Sequence, residues 1–474
     1  VHEYLGEFKD EKKLKEAAQS FGLDPKKEMY KMPAIFVGEY AEADARLTYK
    51  LHEKLKWEIA KDNLTTIYDI ECQLIKVIYN MTKRGVRVDI ERAHNLTEKF
   101  SKKEKKLLKR IKDIVGFDVE IWAAASIAKA FDAIDLPYDK TEKTQAPSFT
   151  KTFLNDHPHE VPRLILQARE LNKLRGTFIQ SIFKYHKDGR IHAHINQIRS
   201  DTGGTVSGRF SYNHPNLQQV PSRGQFAKDI RGLFIPEHNE MWLKADYSQQ
   251  EPRILTHWAC LVGQPGAQEV KEAYHNSDLD FHQQTADMAG VERRLAKTIG
   301  LGVMYGMGYN KMAKELDIEP AEAKNMLADF RNKVPFMQGM LEAVMNRASS
   351  KGVIRTLLGR KCRFDLWEPK QWGVHKALPI NQAKVEYGDA IKRAGTYKAL
   401  NRLIQGSAAD QTKKAMVDVY NELNITPLIQ VHDELDCSVV GEEQAKKVKE
   451  VMENCVELEV PSKVDIDLGD NWGQ

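Results

Sequence analysis

Two apolar runs that each lead into a carboxylate constrain this chain more than any other feature. Met241-Trp242-Leu243-Lys244-Ala245 runs into Asp246 and then turns, through Tyr247-Ser248, toward a helical pattern. Far downstream, Pro427 to Val431 and Leu435 to Val440 are β-leaning runs around His432-Asp433-Glu434, the pattern of a hairpin with carboxylates at its tip. Taken alone, a strand end or an acidic turn is usually only solvated. Side by side on one sheet, Asp246 and Asp433 could hold a pair of Mg²⁺ ions roughly 3.5 to 4 Å apart, which aligns an attacking hydroxyl with a leaving pyrophosphate.

Most of the remaining sequence reads as helix. Residues 45 to 115 carry long helical patterns, broken at Arg84-Gly85-Val86-Arg87-Val88-Asp89, where the glycine and alternating valines predict a turn and a short strand. Ala146-Pro147-Ser148 predicts a helix start capped by Ser148, and the helical pattern resumes from Val161 to Tyr185. Lys187-Asp188-Gly189-Arg190 predicts a turn, Ile191 to Ile195 a strand, and 250 to 420 mainly helix. Ser248 and Glu251 have the S-x-x-E spacing of a capping box, with Pro252 suited to the first turn. The expected fold class is α+β, a small antiparallel sheet with large helical lobes; 474 residues suffice for about two to four subdomains.

Composition narrows the function classes. With 42% hydrophobic and 29% charged residues the chain resembles an average soluble protein, and no segment approaches the roughly 18 apolar residues of a membrane span. Val1-His2-Glu3-Tyr4-Leu5 lacks the apolar core of a secretory signal, and the valine start predicts a processed product or a fragment of something longer. Cys72, Cys260, Cys362, Cys437 and Cys455 lack CxxC or CxxH spacing, which argues for free thiols in a reducing compartment and against structural zinc. A net charge of +4 permits a nucleic-acid partner without requiring one. The run Lys99, Lys102, Lys103, Lys105, Lys106, Lys109, Arg110, Lys112 shares a helical segment with Phe100, Leu107, Leu108 and Ile111. It reads either as a solvated lysine face or as a surface that tracks phosphates.

Arg293, Lys297, Leu301 and Tyr305 recur at steps of four, so on a helix they form one stripe roughly 18 Å long. An ordinary amphipathic helix separates cations from apolar groups by face, whereas this stripe separates them by end. A nucleoside triphosphate has that polarity: Arg and Lys meet phosphates, the apolar end meets sugar and base. A buried helix with two snorkelling cations is the alternative.

Three strings, Asp246-Tyr247-Ser248-x-x-Glu251-x-Arg253, then Arg293-x-x-x-Lys297-x-x-x-Leu301-x-x-x-Tyr305-Gly306, then Val431-His432-Asp433-Glu434, resemble in order motifs A, B and C of family A, the bacterial and phage polymerases like DNA polymerase I. The resemblance extends to Ser207-Gly208-Arg209-Phe210-Ser211, Pro215-Asn216-Leu217-Gln218, Gln405-Gly406-Ser407-Ala408-Ala409-Asp410 and Asp470-Asn471-Trp472. It implies a right-hand polymerase: thumb about 90–180, palm about 181–257 and 396–474, fingers about 258–395, preceded by residues 1–60 as the tail of a 3′ to 5′ exonuclease domain. Tyr40 and Asp44 resemble that exonuclease's last motif, and without partner carboxylates no exonuclease activity is expected of this chain.

The same resemblance implies roles. Asp246 and Asp433 are the expected metal ligands, helped by the Tyr247 carbonyl, with Glu434 nearby. Arg293, Lys297 and His282 are expected at the triphosphate, Leu301, Gln249 and Glu251 around the nucleotide, and Tyr305 beside the templating base. Arg209, Asn401, Gln405 and His432 are expected on the DNA, where minor-groove acceptors shared by all correct pairs let geometry be checked. The implied cofactor is Mg²⁺, two ions, with Mn²⁺ able to substitute. The implied partners are primer-template DNA and dNTPs, with no membrane and no named processivity factor, in the cytoplasm of a bacterium or an infected host cell. Leu301 stands where the family usually has Phe or Tyr, and Gly300 and Gly302 flank it. The short interval from His282 to Arg293 and the long one from Cys362 to Asn401 look phage-like. A single-subunit RNA polymerase shares the two-carboxylate palm, but Glu251 stands where the DNA enzymes block a ribose 2′-OH. An inactive duplex-binding remnant would need none of the carboxylates.

Overall fold

The computed structural model describes residues 1–8, 10–142, 144–200, 203–276, 279–371 and 376–474. Contacts divide the chain into two compact units, Val1–Cys72 with Leu358–Arg360, and the remainder. In the first unit, helices Lys12–Ser20 and Ala34–Lys61 enclose a small core of Leu14, Ala17, Ala18 and Met32. Tyr40 and Asp44 lie one turn apart on Ala34–Lys61.

The second unit is organised by a four-stranded antiparallel sheet. Its strands are β1 (Met241–Tyr247), β2 (Ile429–Val431), β3 (Glu434–Val439) and β4 (Val464–Gly469), in the order β2-β3-β1-β4. Period-two alternation along β1 buries Leu243, Ala245 and Tyr247 on one face and turns Asp246 out on the other. Tyr247 donates its hydroxyl to Met452 O, 2.7 Å away on helix Glu442–Asn454, which covers the buried face.

Four helices frame the outward face or its approaches. After β1 come α1 (Gln250–Val262), α2 (Phe281–Ala289) and α3 (Arg293–Met304); α4 (Ala399–Leu423) precedes the β2–β3 hairpin. Helix Pro335–Lys351 joins α1, α2, α3 and the start of α4 in one apolar core around Phe281, Ile299, Phe336 and Leu403. A separate lobe packs helix Ile90–Val115 on Glu160–Lys173 around Ile111, Phe131 and Ile165. There Phe100 and Ile111 are buried, Leu107 and Leu108 half-buried, and the lysines between them exposed. Buried Glu104 joins that stripe because Asn172 and Arg175 hydrogen-bond it.

Several local expectations need correction. Pro147–Ser148 is a strand paired with Asp139–Lys140, so Ser148 is spent in a ladder. The helix starts at Lys151, capped by Thr150, which accepts from Phe153 N at 3.2 Å. The expected strand Ile191–Ile195 divides into Arg190–Ile191 and His194–Asn196, because each part has a different partner, Val86–Val88 and Ser211–Asn213. The stretch read as mainly helical contains two small sheets, Val353–Arg355 with Lys361–Arg363, and Leu366–Pro369 with Leu378–Pro379 and Ile391–Arg393.

Candidate active site

Strand register brings the two predicted carboxylates together. Asp246 pairs across β1 and β3 with Glu434, and the Tyr247 N–H donates to Asp433 O at 3.2 Å. Asp433 therefore sits in the hairpin turn beside Asp246, and His432, at φ 58°, makes that turn. Burial by its surroundings, then the charges of Asp433, Glu434 and Asp465, push the Asp246 carboxyl up to about 7, with Arg231 pulling the other way. Asp433 is raised too, chiefly by burial. Crowded carboxylates that resist ionisation become favourable once a cation arrives.

Among the described residues no group of three or more His, Cys, Asp and Glu is arranged to hold a metal. The donors expected from the sequence are the Asp246 and Asp433 carboxylates and the Tyr247 carbonyl. They suit Mg²⁺, which takes one or two carboxylates and completes its shell with water and substrate phosphate. Glu434, paired with Asp246, accepts at Oε1 from Trp472 Nε1 at 2.9 Å and from Arg231 at 3.3 Å. Its carboxylate is tied to the C-terminal Trp472 and supports the hairpin.

Directly after β1 the chain lines a cavity of about 340 Å³ with Ser248 and Gln249. Its opposite wall is the predicted stripe. On α3, Ala296, Ile299, Gly300 and Val303 are buried while Arg293 and Lys297 are exposed, so both cations face the opening. Arg293 donates to Asp280 at 2.7 Å, and Asp280 also caps α2 through the N–H groups of His282 and Gln283. His282 lies in the same cavity, where burial, with Lys297 and Arg293 close by, disfavours its protonated form. Gln249 links the walls: its amide accepts from Phe281 N at 2.9 Å and donates to Leu279 O at 2.8 Å. Leu301 is half-buried against the helical core.

Glu251 is no capping-box partner. Helix α1 begins at Gln250 after Gln249 in a left-handed conformation, and the Ser248 N–H is taken by Lys463 O. The Glu251 carboxylate is instead held by Arg209 at 2.6 Å and by the Tyr305 hydroxyl at 2.8 Å. Tyr305, which ends α3, is pushed up to about 12 by burial and by Glu251, and Gln405 reaches the same hydroxyl. Arg209, Glu251, Tyr305 and Gln405 thus form one polar cluster, with Asn401 one turn before Gln405 on α4 and His432 exposed on the hairpin.

Sequence reasoning missed Lys463 and Asp280, both on the cavity wall, and Arg231 beneath Glu434. Arg231 and Lys463 are single cations with no spacing signal. Asp280 had one, two residues before His282, where an aspartate suits a helix cap.

The model of the family described as DNA polymerase family A matches residues 90–474. The chain is 37% identical to a DNA-directed DNA polymerase of Pseudomonas phage M6, over 98% of this chain and 74% of that protein. It is 29% identical to DNA polymerase DpoZ of Acinetobacter phage SH-Ab 15497, over 100% of this chain and 80% of that protein. Against the thermostable DNA polymerase I of Thermus aquaticus the identity is 30% over 92% of this chain and 51% of that protein, so the chain spans about half of that relative. The solved POL domain of Pol1 from M. smegmatis, in complex with DNA primer-template and dNTP, is similar at a TM-score of 0.72 and 26% identity, covering 90% of this chain and 74% of that one.

Proposed function

The chain belongs to DNA polymerase family A and is a DNA-directed DNA polymerase, and from that premise we propose that it extends a primer 3′-OH with dNTPs by two-metal nucleotidyl transfer, with Asp246 and Asp433 as metal ligands. The observation that supports this reading is that Asp246, with Asp433 in the adjoining hairpin turn, ends the strand whose next residues, Ser248 and Gln249, line a cavity shared with Arg293, His282 and Lys297. Two bound Mg²⁺ ions would supply charge neutralisation and a more acidic 3′-OH. The remaining work falls to the chain. Lys297 and Arg293 hold the phosphates as the 3′-oxygen bonds to the α-phosphorus and the bond to pyrophosphate breaks. Glu251, steadied by Arg209 and Tyr305, lies under the sugar; Arg209, Gln405, Asn401 and His432 meet the terminal pair.

The partners that follow are primer-template DNA and dNTPs, in phage or bacterial replication or repair. We place the thumb at about 90–180, the palm at about 181–257 and 396–474 and the fingers at about 258–395, with 1–60 resembling an exonuclease-domain tail. No helix among the described residues is long and apolar enough to cross a membrane, and we assign the activity to the cytoplasm of a bacterium or an infected host. Primer extension with Mg²⁺, comparing dNTPs with NTPs, tests the reading. Extension with dNTPs alone is expected, and Glu251→Ala should then admit NTPs. Extension with NTPs by the wild type, or no extension, would refute it.

A further inference from the structure

We propose that the Lys463 side chain is a further ligand of the nucleotide's triphosphate, gripping β- and γ-phosphate oxygens from the sheet side of the cavity while Lys297 and Arg293 grip from the helix side. The proposal rests on the polymerase reading above and adds a residue from the far end of the chain to the nucleotide site. Lys463 immediately precedes β4, whose register pairs Val464 with Tyr247 and Asp465 with Asp246. One step further along the same ladder, the Ser248 N–H donates to Lys463 O at 2.8 Å. Strand side chains alternate faces, so Lys463 shares the face of Asp465 and Asp246, opposite buried Val464. That face opens into the cavity, and Lys463 lines it together with Arg293 and Lys297.

The backbone at Lys463 is held by its neighbours: its carbonyl by the Ser248 N–H and the preceding Pro461 by Arg253. Arg253 donates from Nε to Ser248 O at 2.9 Å and from Nη1 to Pro461 O at 2.6 Å, so its guanidinium ties the segment just before Lys463 to the residue that pairs with it. On the helix side, Arg293 is paired with Asp280, and burial disfavours the charged form of His282. A triphosphate carries about four negative charges near neutral pH, more than one wall of cations matches, and an ammonium is suited to such a target because it needs no fixed approach angle. Lys463 also differs from Lys297 in its support. Its position follows from the sheet that holds Asp246, not from α3, so its grip should persist on the pyrophosphate after the bond to the α-phosphorus breaks.

The test uses the full chain with Lys463→Gln and Lys463→Arg. It measures kcat and KM for dNTP, KM for pyrophosphate in the reverse reaction, and primer-template affinity. Lys463→Gln should raise both KM values about 5- to 50-fold, the range expected for losing a hydrogen bond to a charged group. Primer-template affinity should stay within about twofold, and Lys463→Arg should restore most of both KM values. A merely structural lysine would not move the pyrophosphate KM, because its backbone carbonyl, which makes the bond to Ser248, is unchanged. An unchanged KM for either ligand in Lys463→Gln, or a parallel loss of primer-template affinity, overturns the assignment. Failure of the wild type to extend a primer would instead refute the polymerase reading itself.

Discussion

The two walls of the site are built on different principles. Strand β1 is central, bonded along six residue pairs to β3 on one side and six to β4 on the other. Further along the face that carries Asp246, Trp242 stacks on Trp472, and Trp242 Nε1 donates to buried Asp436 at 2.8 Å. A one-residue slip would turn Asp246 to the covered face and is opposed by both ladders at once. Helix α3 is held on one side only, and its interior contains Gly300 and Gly302, each costing the helix up to about 1 kcal/mol relative to Ala. In the proposed reading, the metal-binding aspartates stand on the doubly bonded strand and the hairpin beside it. In the same reading, the groups that grip an arriving nucleotide stand on a helix with two interior glycines.

The most severe way to break this division is on the strand. Asp246→Asn or Asp433→Asn should reduce incorporation on the order of a thousandfold while leaving primer-template binding nearly intact, because phosphate contacts dominate affinity and the carboxylates serve the chemical step. Rapid-quench incorporation beside a binding titration measures both. Either variant extending at near wild-type rate would remove the strand wall from the chemistry.

On the helix wall, Leu301→Tyr should change selection more than rate. In the family that this chain belongs to, the residue at this place lies against the sugar, and a tyrosine hydroxyl can stand in for a missing 3′-OH. Leucine has none, so the wild type should discriminate against dideoxynucleotides. The substitution should relax that discrimination by about 5- to 150-fold, the equivalent of one hydrogen bond of about 1 to 3 kcal/mol. The ratio of kcat/KM for dNTP over ddNTP cancels any general slowing from crowding. The same ratio in both proteins would mean that Leu301 does not face the sugar.

A smaller effect tests the electrostatics of the strand. Because the Asp246 carboxyl is raised to about 7, protons compete with metal there, so apparent Mn²⁺ or Mg²⁺ affinity should fall up to about tenfold per pH unit below 7 and level off above it. The folding consequence has the opposite sign. A carboxyl whose folded value lies above its unfolded one favours the native state as pH falls through 7, so the metal-free protein should gain stability from this group between about pH 7 and 4. Metal titration followed calorimetrically at several pH values, in wild type and Asp246→Asn, distinguishes the two. A pH-independent affinity would mean that the carboxylates do not burden each other.

What could be read from the chain follows the same division. The strand that ends at Asp246 and the hairpin around Asp433 are legible because apolar runs that lead into a carboxylate leave a local pattern, and α3 because its stripe repeats every four residues. The capping box at Ser248 and Glu251 was misread because distant partners win: Lys463 O takes the Ser248 N–H, and Arg209 and Tyr305 take the Glu251 carboxylate. Glu434 lies beside Asp246 as expected from the sequence, but its partners Trp472 and Arg231 come from elements that no local spacing connects to the hairpin. The strands within 353–393 were missed for a related reason. Each is two to four residues long, too short for alternation to show, and exists only through pairing.

The finest test concerns the pliability of α3 itself. A Cβ added at Gly300 would lie 3.7 Å from Met337 Cε and 3.9 Å from Phe330 Cζ, ordinary contact distances, whereas one at Gly302 would lie 3.2 Å from Met307 Sδ and force that side chain to give. Gly300→Ala should therefore recover helix propensity without overpacking, raising stability by up to about 1 kcal/mol, while Gly302→Ala should gain less or lose. Stiffening one wall should change the dNTP KM and kcat by no more than about threefold, because the aspartates do not depend on α3. Denaturant midpoints and steady-state kinetics of both variants measure these effects. A destabilised Gly300→Ala would show that the buried face of α3 is packed more tightly than those distances allow. A loss of incorporation in Gly300→Ala as large as that in Asp246→Asn would show that the strand and the helix are one mechanical element, and the contrast between the walls would fail.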